Sequence, residues 1–498
     1  MDITTIILVA TVLLLLWSLS RKPKNFPPGP IRLPLIGNLS VFMKPEKFGE
    51  KLEVMYQKYG EICGTYTFHM PVVIVSGVEA VREVCYHEDL VGRPENAFQK
   101  IVYGKSQGIL HNTGEEWKSL RRFTLQHLRD LGFGKSSLEG LAHEELLAVF
   151  NDIDEISGGR SEGFPNPVNF HDVLGGASIN VLWHILAGKR YEHRDPKFKQ
   201  LITAVQKLLI VFFQITYLYN IVPSLAKVFP RITGFETMES HIKPIEDFIQ
   251  DEIDDHKKDI DYDHPRDFID IFLAEVEKQK NNQAHIFNEQ QLKQICIELY
   301  VAGTDTTLNT LSFAILFMIL YPEKQEKVQQ ELDDVVGRDR LPSLNDRARL
   351  PYVEATLNEV FRLSSIIPAS LPRTIVSNKE YITLRGYHIP KGSLVAYNIH
   401  SLHHDPKIWD SPEEFIPERF LDKSKKTPIR DVLLPFGAGK RACLGESLAR
   451  NNFFLFFTGL LQRYSLRVPD GQPKPSTEPL GVNVTFPKPF TVKVQLRT

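Results

Sequence analysis

Cysteine is scarce in this chain, with four residues in 498. Cys63, Cys85, Cys296 and Cys443 form no close-spaced pair. That excludes a disulfide framework and a zinc cluster, and it fits a reducing compartment. Excess charge is missing too. The net charge is −2, which gives no electrostatic case for nucleic acid. Between residues 40 and 498 there is no Gly/Ser linker, charge block, repeat or low-complexity tract. The length would allow several domains. Without a divider, one large unit is the simpler reading.

Residues 3–19 contain no charge at all. As a helix they span about 25 Å at ~1.5 Å per residue, enough for a thin bilayer. A cleaved leader would begin with basic residues and end in a small-x-small site. This segment begins Met1-Asp2 and has neither. The expectation is a transmembrane anchor over residues 1–20, with Trp17 at the interface. Arg21, Lys22 and Lys24 come next and place the remainder of the chain on the cytosolic side. Phe26-Pro27-Pro28-Gly29-Pro30 then stops the helix. Residues 21–37 read as a basic, proline-rich hinge that orients the main body of the protein against the membrane.

The hydrophobic periodicity predicts a mainly helical protein with a minor sheet drawn from both ends of the chain. Helices are expected over 46–59, 78–87, 115–150, 170–190, 195–218, 235–258, 265–280 and 443–464. Strands are expected over 61–68, 71–76 and 372–400, and an irregular stretch over 405–435. The longest helix runs from Asn288, paired with Gln291 as a cap, to Tyr321, where Pro322 ends it. Its middle reads Ala302-Gly303-Thr304-Asp305-Thr306-Thr307. Threonine, aspartate and glycine all weaken a buried helix. Threonine back-bonding and the room at Gly303 predict a bulge and a locally widened groove.

One cysteine sits in a specific context: Phe436-Gly-Ala-Gly439-Lys-Arg441-Ala-Cys443-Leu-Gly445. A thiolate ligand beneath a flat macrocycle needs a sharply turned backbone, which Gly439 and Gly445 allow. It also needs a cover against water, for which Phe436 serves, and a cation for a propionate, for which Arg441 serves. The helix expected after Cys443 would favour thiolate over thiol.

This run resembles the haem-binding signature of the cytochrome P-450 superfamily at every fixed position. Four further features resemble the same family: the acid–alcohol pair Asp305-Thr306, Glu359-Val-Phe-Arg362, Pro417-Glu-Arg419-Phe420, and the hinge. The resemblance implies a cytochrome P-450 fold, mainly α with a minor β region, as a single haem-thiolate catalytic domain over 38–498. It implies haem b, iron protoporphyrin IX, held through the Cys443 thiolate, with NADPH used through a separate reductase. Trp117, Arg121 and Arg373 are expected at the propionates, Asp305 and Thr306 in oxygen activation, and Glu359, Arg362 and Arg419 in a structural triad.

Implied partners are a microsomal NADPH–haemoprotein reductase, a second donor of the cytochrome b5 type, the membrane and a lipophilic substrate. The implied location is the endoplasmic reticulum membrane. Lys118, Arg122, Arg129 and Lys440 would form the basic face on which the reductase docks. Substrate contacts would come from 96–112, Leu208–Ile215, Leu299–Ala302, Ile366–Leu371 and Leu480–Val484. Phe98, Phe212, Phe213, Ile367 and Leu371 are prominent in these segments.

His127-Leu-Arg-Asp-Leu-Gly-Phe-Gly134 and His403-His404-Asp405-Pro406 look like the large microsomal branch that handles steroids and drugs. The first phrase looks like its insect members, among them methyl farnesoate epoxidases, which make juvenile hormone, and ecdysteroid hydroxylases. Hydroxylation or epoxidation of an isoprenoid or other hormone-like lipid is the implied reaction, with detoxification of xenobiotics as the alternative. A haem-thiolate isomerase or dehydratase would not need the acid–alcohol pair. A tethered haem sensor or carrier would need neither that pair nor a docking face.

Overall fold

The computed structural model describes residue 5 and residues 20–41, 48–159, 164–212, 218–280, 286–422, 429–481 and 484–497. The expected anchor, Thr5 and Ser20 apart, lies outside the described residues, as does Phe213. Phe212 is described only as the last residue of its helix.

In chain order the elements begin with α1 (Phe48–Tyr59), β1 (Ile62–Thr67), β2 (Met70–Val75), α2 (Val78–Tyr86) and α3 (Ala97–Tyr103). Then come α4 (Gly114–Asp130), α5 (Glu139–Ile156), α6 (Phe170–Ala187), α7 (Pro196–Phe212), α8 (Phe235–Asp259) and α9 (Phe268–Gln279). The central helix is α10 (Glu289–Leu320), followed by α11 (Pro322–Val335), α12 (Pro351–Ser364), β3 (Tyr381–Leu384), β4 (Tyr387–Pro390), β5 (Leu394–Tyr397) and α13 (Ile399–His404). After an irregular stretch come α14 (Glu446–Arg463), β6 (Tyr464–Arg467), β7 (Pro479–Leu480), β8 (Phe486–Pro487) and β9 (Lys493–Leu496).

The minor sheet does join distant parts of the chain. β2 pairs antiparallel with β1 and parallel with β5, with Val72 opposite Leu394 and Val75 opposite Tyr397. The prolines at 27–30 are not a free linker. The Gly64 N–H donates to the Pro28 carbonyl at 2.7 Å, and Phe26 packs on Tyr66 with ring centroids 5.3 Å apart. The hinge is thereby fixed to β1.

α10 crosses the molecule with 23 of its 32 residues buried, and it packs on α6, α8, α12 and α14. Asn288 caps it, with its side chain accepting from the Gln291 N–H at 3.0 Å. It is long and apolar enough to cross a membrane, but its burial marks it as a core helix. The predicted bulge is absent, because α10 is continuous α-helix through Gly303. The hydroxyls of Thr304, Thr306 and Thr310 donate to the carbonyls of Tyr300, Ala302 and Thr306 without breaking the ladder. The space at Gly303 is taken by Leu182 of α6, which a Cβ would overlap.

Other departures have local causes. The helix expected over 115–150 is two helices, because Gly132 and Gly134 take φ of 100° and 73°. They turn the chain so that Phe133 is buried. The strand expected to reach residue 400 ends at Tyr397, where Asn398 caps α13 through the Ser401 N–H.

Candidate functional site

The cysteine loop is shaped by its glycines and by one arginine. Gly439 has a φ of 74°, and a Cβ there would run into the Cys85 carbonyl. Gly445 has an ordinary φ of −88° and is the N-cap of α14. Its role is space, since its Cβ position lies 3.9 Å from the Cys443 Sγ. Arg373 donates to the Val84 and Cys85 carbonyls at 2.9 and 3.1 Å and to the Ala438 carbonyl at 3.2 Å. That ties the end of α2 to the loop. The Cys443 N–H donates to the Phe436 carbonyl at 2.9 Å.

Cys443 lies deep in the protein, and the surface that its side chain exposes faces a large interior cavity. The N–H groups of Gly445 and Glu446 and the Arg121 charge pull its thiol down, as expected at a helix terminus, but burial outweighs them and the thiol sits above its ordinary value.

Around the cavity stand Arg93, Arg121, Arg373 and Arg441. Arg121 reaches from α4 to the Ala442 carbonyl at 2.7 Å. Arg441 donates to the carbonyls of Val91, Ile109 and Asn112, and it lies 3.7 Å above the Trp117 ring. Trp117 itself does not line the cavity. It backs Arg441, and its buried indole Nε1 has no hydrogen-bond partner. His111, inside the expected 96–112 segment, also lines the cavity, and so does Arg93, which sequence reasoning missed; His111 was expected only as part of that segment. Neither belongs to a motif; the fold brings them in.

The only carboxylate among the described lining residues is Glu298. It accepts from the Ile109 and Leu110 N–H groups at 2.7 and 2.9 Å. Burial pushes its carboxyl up to about 8. Four guanidiniums therefore face a cavity with almost no opposing charge, and burial together with mutual repulsion disfavours the charge on Arg441. An anionic cofactor that sets two carboxylates among these arginines and a metal over Cys443 fits this cradle.

The rest of the wall is largely apolar, including Phe98, Leu208, Ile367, Leu371 and Val484 from the expected segments. Met238 and Ile242 of α8 were not anticipated. Thr306 faces the cavity, whereas Asp305 does not. The Asp305 carboxylate is buried and accepts from the Asn309 amide at 2.8 Å. Burial pushes the carboxyl up to about 6, against the pull of that amide. The structure thus separates the expected pair, placing the alcohol on the wall and the acid behind it.

Glu359, Arg362 and Arg419 do meet. Arg362 grips Glu359 with two bonds of 2.7 and 2.9 Å, and Arg419 adds a third of 3.0 Å. None is more than 6% exposed, so this is no surface ion pair. Arg362 also donates to the His403 and Pro412 carbonyls, both at 2.7 Å. His403 Nε2 in turn accepts from the Leu434 N–H at 3.0 Å, two residues before Phe436. The triad holds the approach to the cysteine loop.

The sequence matches the family model "Cytochrome P450" over residues 27–494. It is 36% identical over 452 residues to cytochrome P450 2J3 of Rattus norvegicus, covering 90% of this chain and 87% of the relative. It is 33% identical over 481 residues to the farnesoate epoxidase of Bombyx mori, with 95% of each covered. Cytochrome P450 2D26 of Mus musculus is 36% identical over 509 residues, with 98% of this chain and 97% of the relative covered. A cavity-facing cysteine, a cradle of arginines and a family match over nearly the whole chain agree: the chain belongs to the cytochrome P450 family and is a monooxygenase of the haem-thiolate type.

Proposed function

We propose that this enzyme uses O2 and NADPH to hydroxylate or epoxidise a lipophilic small molecule, with Cys443 as the axial ligand. One observation carries the reading: Cys443 and Thr306 line the same largely apolar cavity, with four guanidiniums along its wall. Haem b, when bound, supplies oxygen activation and atom insertion. Arg121, Arg373 and Arg441 would pair with its propionates, joined by Arg93, while Trp117 supports Arg441. Phe436 and the apolar wall exclude water. The Thr306 hydroxyl now donates to the Ala302 carbonyl at 2.7 Å, and by rotating it can present a proton to the cavity. Asp305 is the acid that replenishes it.

The face carrying Lys118, Arg122, Arg129 and Lys440 is where an acidic NADPH–haemoprotein reductase, or a cytochrome b5-type donor, would dock. All four side chains are exposed. The charge-free N-terminal segment would anchor the protein in the endoplasmic reticulum membrane, with the catalytic part cytosolic. Exposed apolar Ile31 and Leu35 within the hinge suit a membrane surface.

For the substrate, the apolar wall and the named activity of the Bombyx mori relative favour an isoprenoid or other hormone-like lipid, as in epoxidation of methyl farnesoate. A detoxifying role is the second reading, favoured by the 2J and 2D relatives. Reconstitution with reductase and NADPH tests the proposal. Product bearing one atom from 18O2 is expected. Conversion without O2 or reductase would favour an isomerase.

A further inference from the structure

His403, near the end of α13, is fully buried, and its two ring nitrogens have different partners. The Leu434 N–H points at Nε2 from 3.0 Å. A backbone amide can only donate, so Nε2 holds a lone pair and the ring proton sits on Nδ1. Nδ1 lies 2.8 Å from the Ser365 Oγ, and its N–H therefore donates to that oxygen. The Ser365 hydroxyl donates in turn to the Arg362 carbonyl at 2.8 Å. Every proton in this series has one place. Burial and the Arg362 charge push the imidazole down to about 3, so the ring is neutral near physiological pH. Ser365 carries a second mark. It follows the last turn of α12 with φ of 37° and ψ of 53°, a left-handed backbone that strains a residue bearing a Cβ. Glycine would sit there without strain, but glycine offers no hydroxyl.

We propose that Ser365 and His403 are positioning residues for the axial cysteine, fixing the chain that leads into its loop. Ser365 sets the tautomer of His403, and that tautomer makes Nε2 the acceptor that the Leu434 N–H requires. The Leu434 carbonyl accepts from the Gly437 N–H at 3.1 Å, closing the turn that holds Phe436. The Phe436 carbonyl then accepts the N–H of Cys443 at 2.9 Å. One series of bonds thus runs from the end of α12 to the amide of the ligand. The Glu359–Arg362–Arg419 triad fixes where the series starts, since Arg362 also holds the His403 carbonyl. It makes no bond to the Leu434 amide. In the other tautomer an Nε2–H would face the Leu434 N–H, two donors without an acceptor, and a buried amide would go unpaired. The turn would shift to avoid that, and the sulfur would shift with it. No covalent bond changes and no proton is transferred.

This inference rests on the haem-thiolate reading, so its test includes a readout that needs no haem. Holoenzyme is prepared as parent, His403→Leu, His403→Gln, Ser365→Ala and Ser365→Gly. Glutamine keeps an acceptor where Nε2 stands, and leucine does not. In the reduced CO complex of His403→Leu the red-shifted Soret band should decay about 10-fold faster than in the parent, the effect expected from one buried hydrogen bond. Its iron–sulfur stretch in the resonance Raman spectrum should broaden. His403→Gln should restore most of both. Ser365→Gly relieves the backbone, so its urea midpoint should lie above that of Ser365→Ala. Its band should nevertheless decay as fast as that of Ser365→Ala. Deuterium exchange at the Leu434 amide should speed up wherever the band decays faster. If His403→Leu does not fold, His403→Asn takes its place, since it keeps a donor for Ser365 and no acceptor for Leu434. Parent-like decay and exchange in His403→Leu would overturn the proposal, as would a glutamine variant no better than leucine. So would Ser365→Gly with the parent's decay rate, because the backbone alone would then suffice. A parent that lacks the red-shifted band would instead count against Cys443 ligation and leave Leu434 exchange to decide the positioning role.

Discussion

At the scale of single residues, Cys443 and Asp305 are both groups whose chemistry is set by burial. Replacing Cys443 by His keeps a ligand of suitable reach but removes the sulfur donor. The red-shifted Soret band of the reduced CO complex should vanish, with the pigment absorbing at the position typical of a nitrogen ligand. A retained band would mean that another residue binds the iron. For Asp305 the sign follows from its raised carboxyl, about 6 in the fold against an ordinary 3.8. Below about pH 4 the group is neutral whether folded or unfolded and costs nothing. Between about pH 4 and 6 the unfolded chain ionises the group while the fold holds it protonated, so stability falls across that window, by about 3 kcal/mol at most, and then levels off. Asp305→Asn keeps the bond from Asn309 and removes the charge. Its denaturation midpoint should exceed the parent's at pH 8 and match it near pH 4. Equal midpoints at both would show that the acid is well solvated. Thr306→Ala should leave haem and substrate binding intact yet lower the ratio of product to NADPH consumed, with hydrogen peroxide making up the difference. An unchanged ratio would remove Thr306 from the mechanism.

At the scale of elements, most helices were legible because their apolar periodicity and caps are local properties. Asn288 announces α10 and Pro322 ends it, and both ends fall where those residues place them. What could not be read was geometry between elements. Nothing in Gly303 says whether its missing side chain makes a bulge or a seat for Leu182, since the answer lies on α6. Arg93, Met238 and Ile242 reach the cavity only through the fold. The pairing of Glu359 with Arg362 is visible as i, i+3, but its burial is not. That burial decides its energetic weight. Glu359→Gln leaves two guanidiniums buried without a counter-charge, a loss on the order of 3–5 kcal/mol. It also frees the His403 link toward Phe436. The variant should lose haem during purification and unfold at a lower urea midpoint. A parent-like midpoint with haem retained would show that the backbone carbonyls around Arg362 suffice.

At the scale of the whole molecule, the proposed reductase would deliver electrons from the side of Cys443, with substrate on the opposite side of the cavity. The bond from Arg121 to the Ala442 carbonyl pins α4 against the cysteine loop. We propose that the exposed Lys118, Arg122 and Arg129 on α4 and Lys440 on that loop form the docking face. Its members are not equal. Lys118 is paired with Glu115 at 2.5 Å, whereas no bond or ion pair partly neutralises Arg122 or Lys440 among the described contacts. Exposed charges act mainly on encounter and are screened over about 10 Å at moderate salt. Arg122→Glu with Lys440→Glu should therefore slow the first electron transfer from the reductase at low ionic strength, by about 10-fold or more. The rate should depend less on salt than the parent's. Lys118→Glu alone should have a smaller effect, because Glu115 already offsets that charge. Substrate binding, on the other side of the cavity, should not change. Stopped-flow reduction at two ionic strengths decides it. Equal rates for variant and parent would mean the patch is only a solvated surface and the donor docks elsewhere.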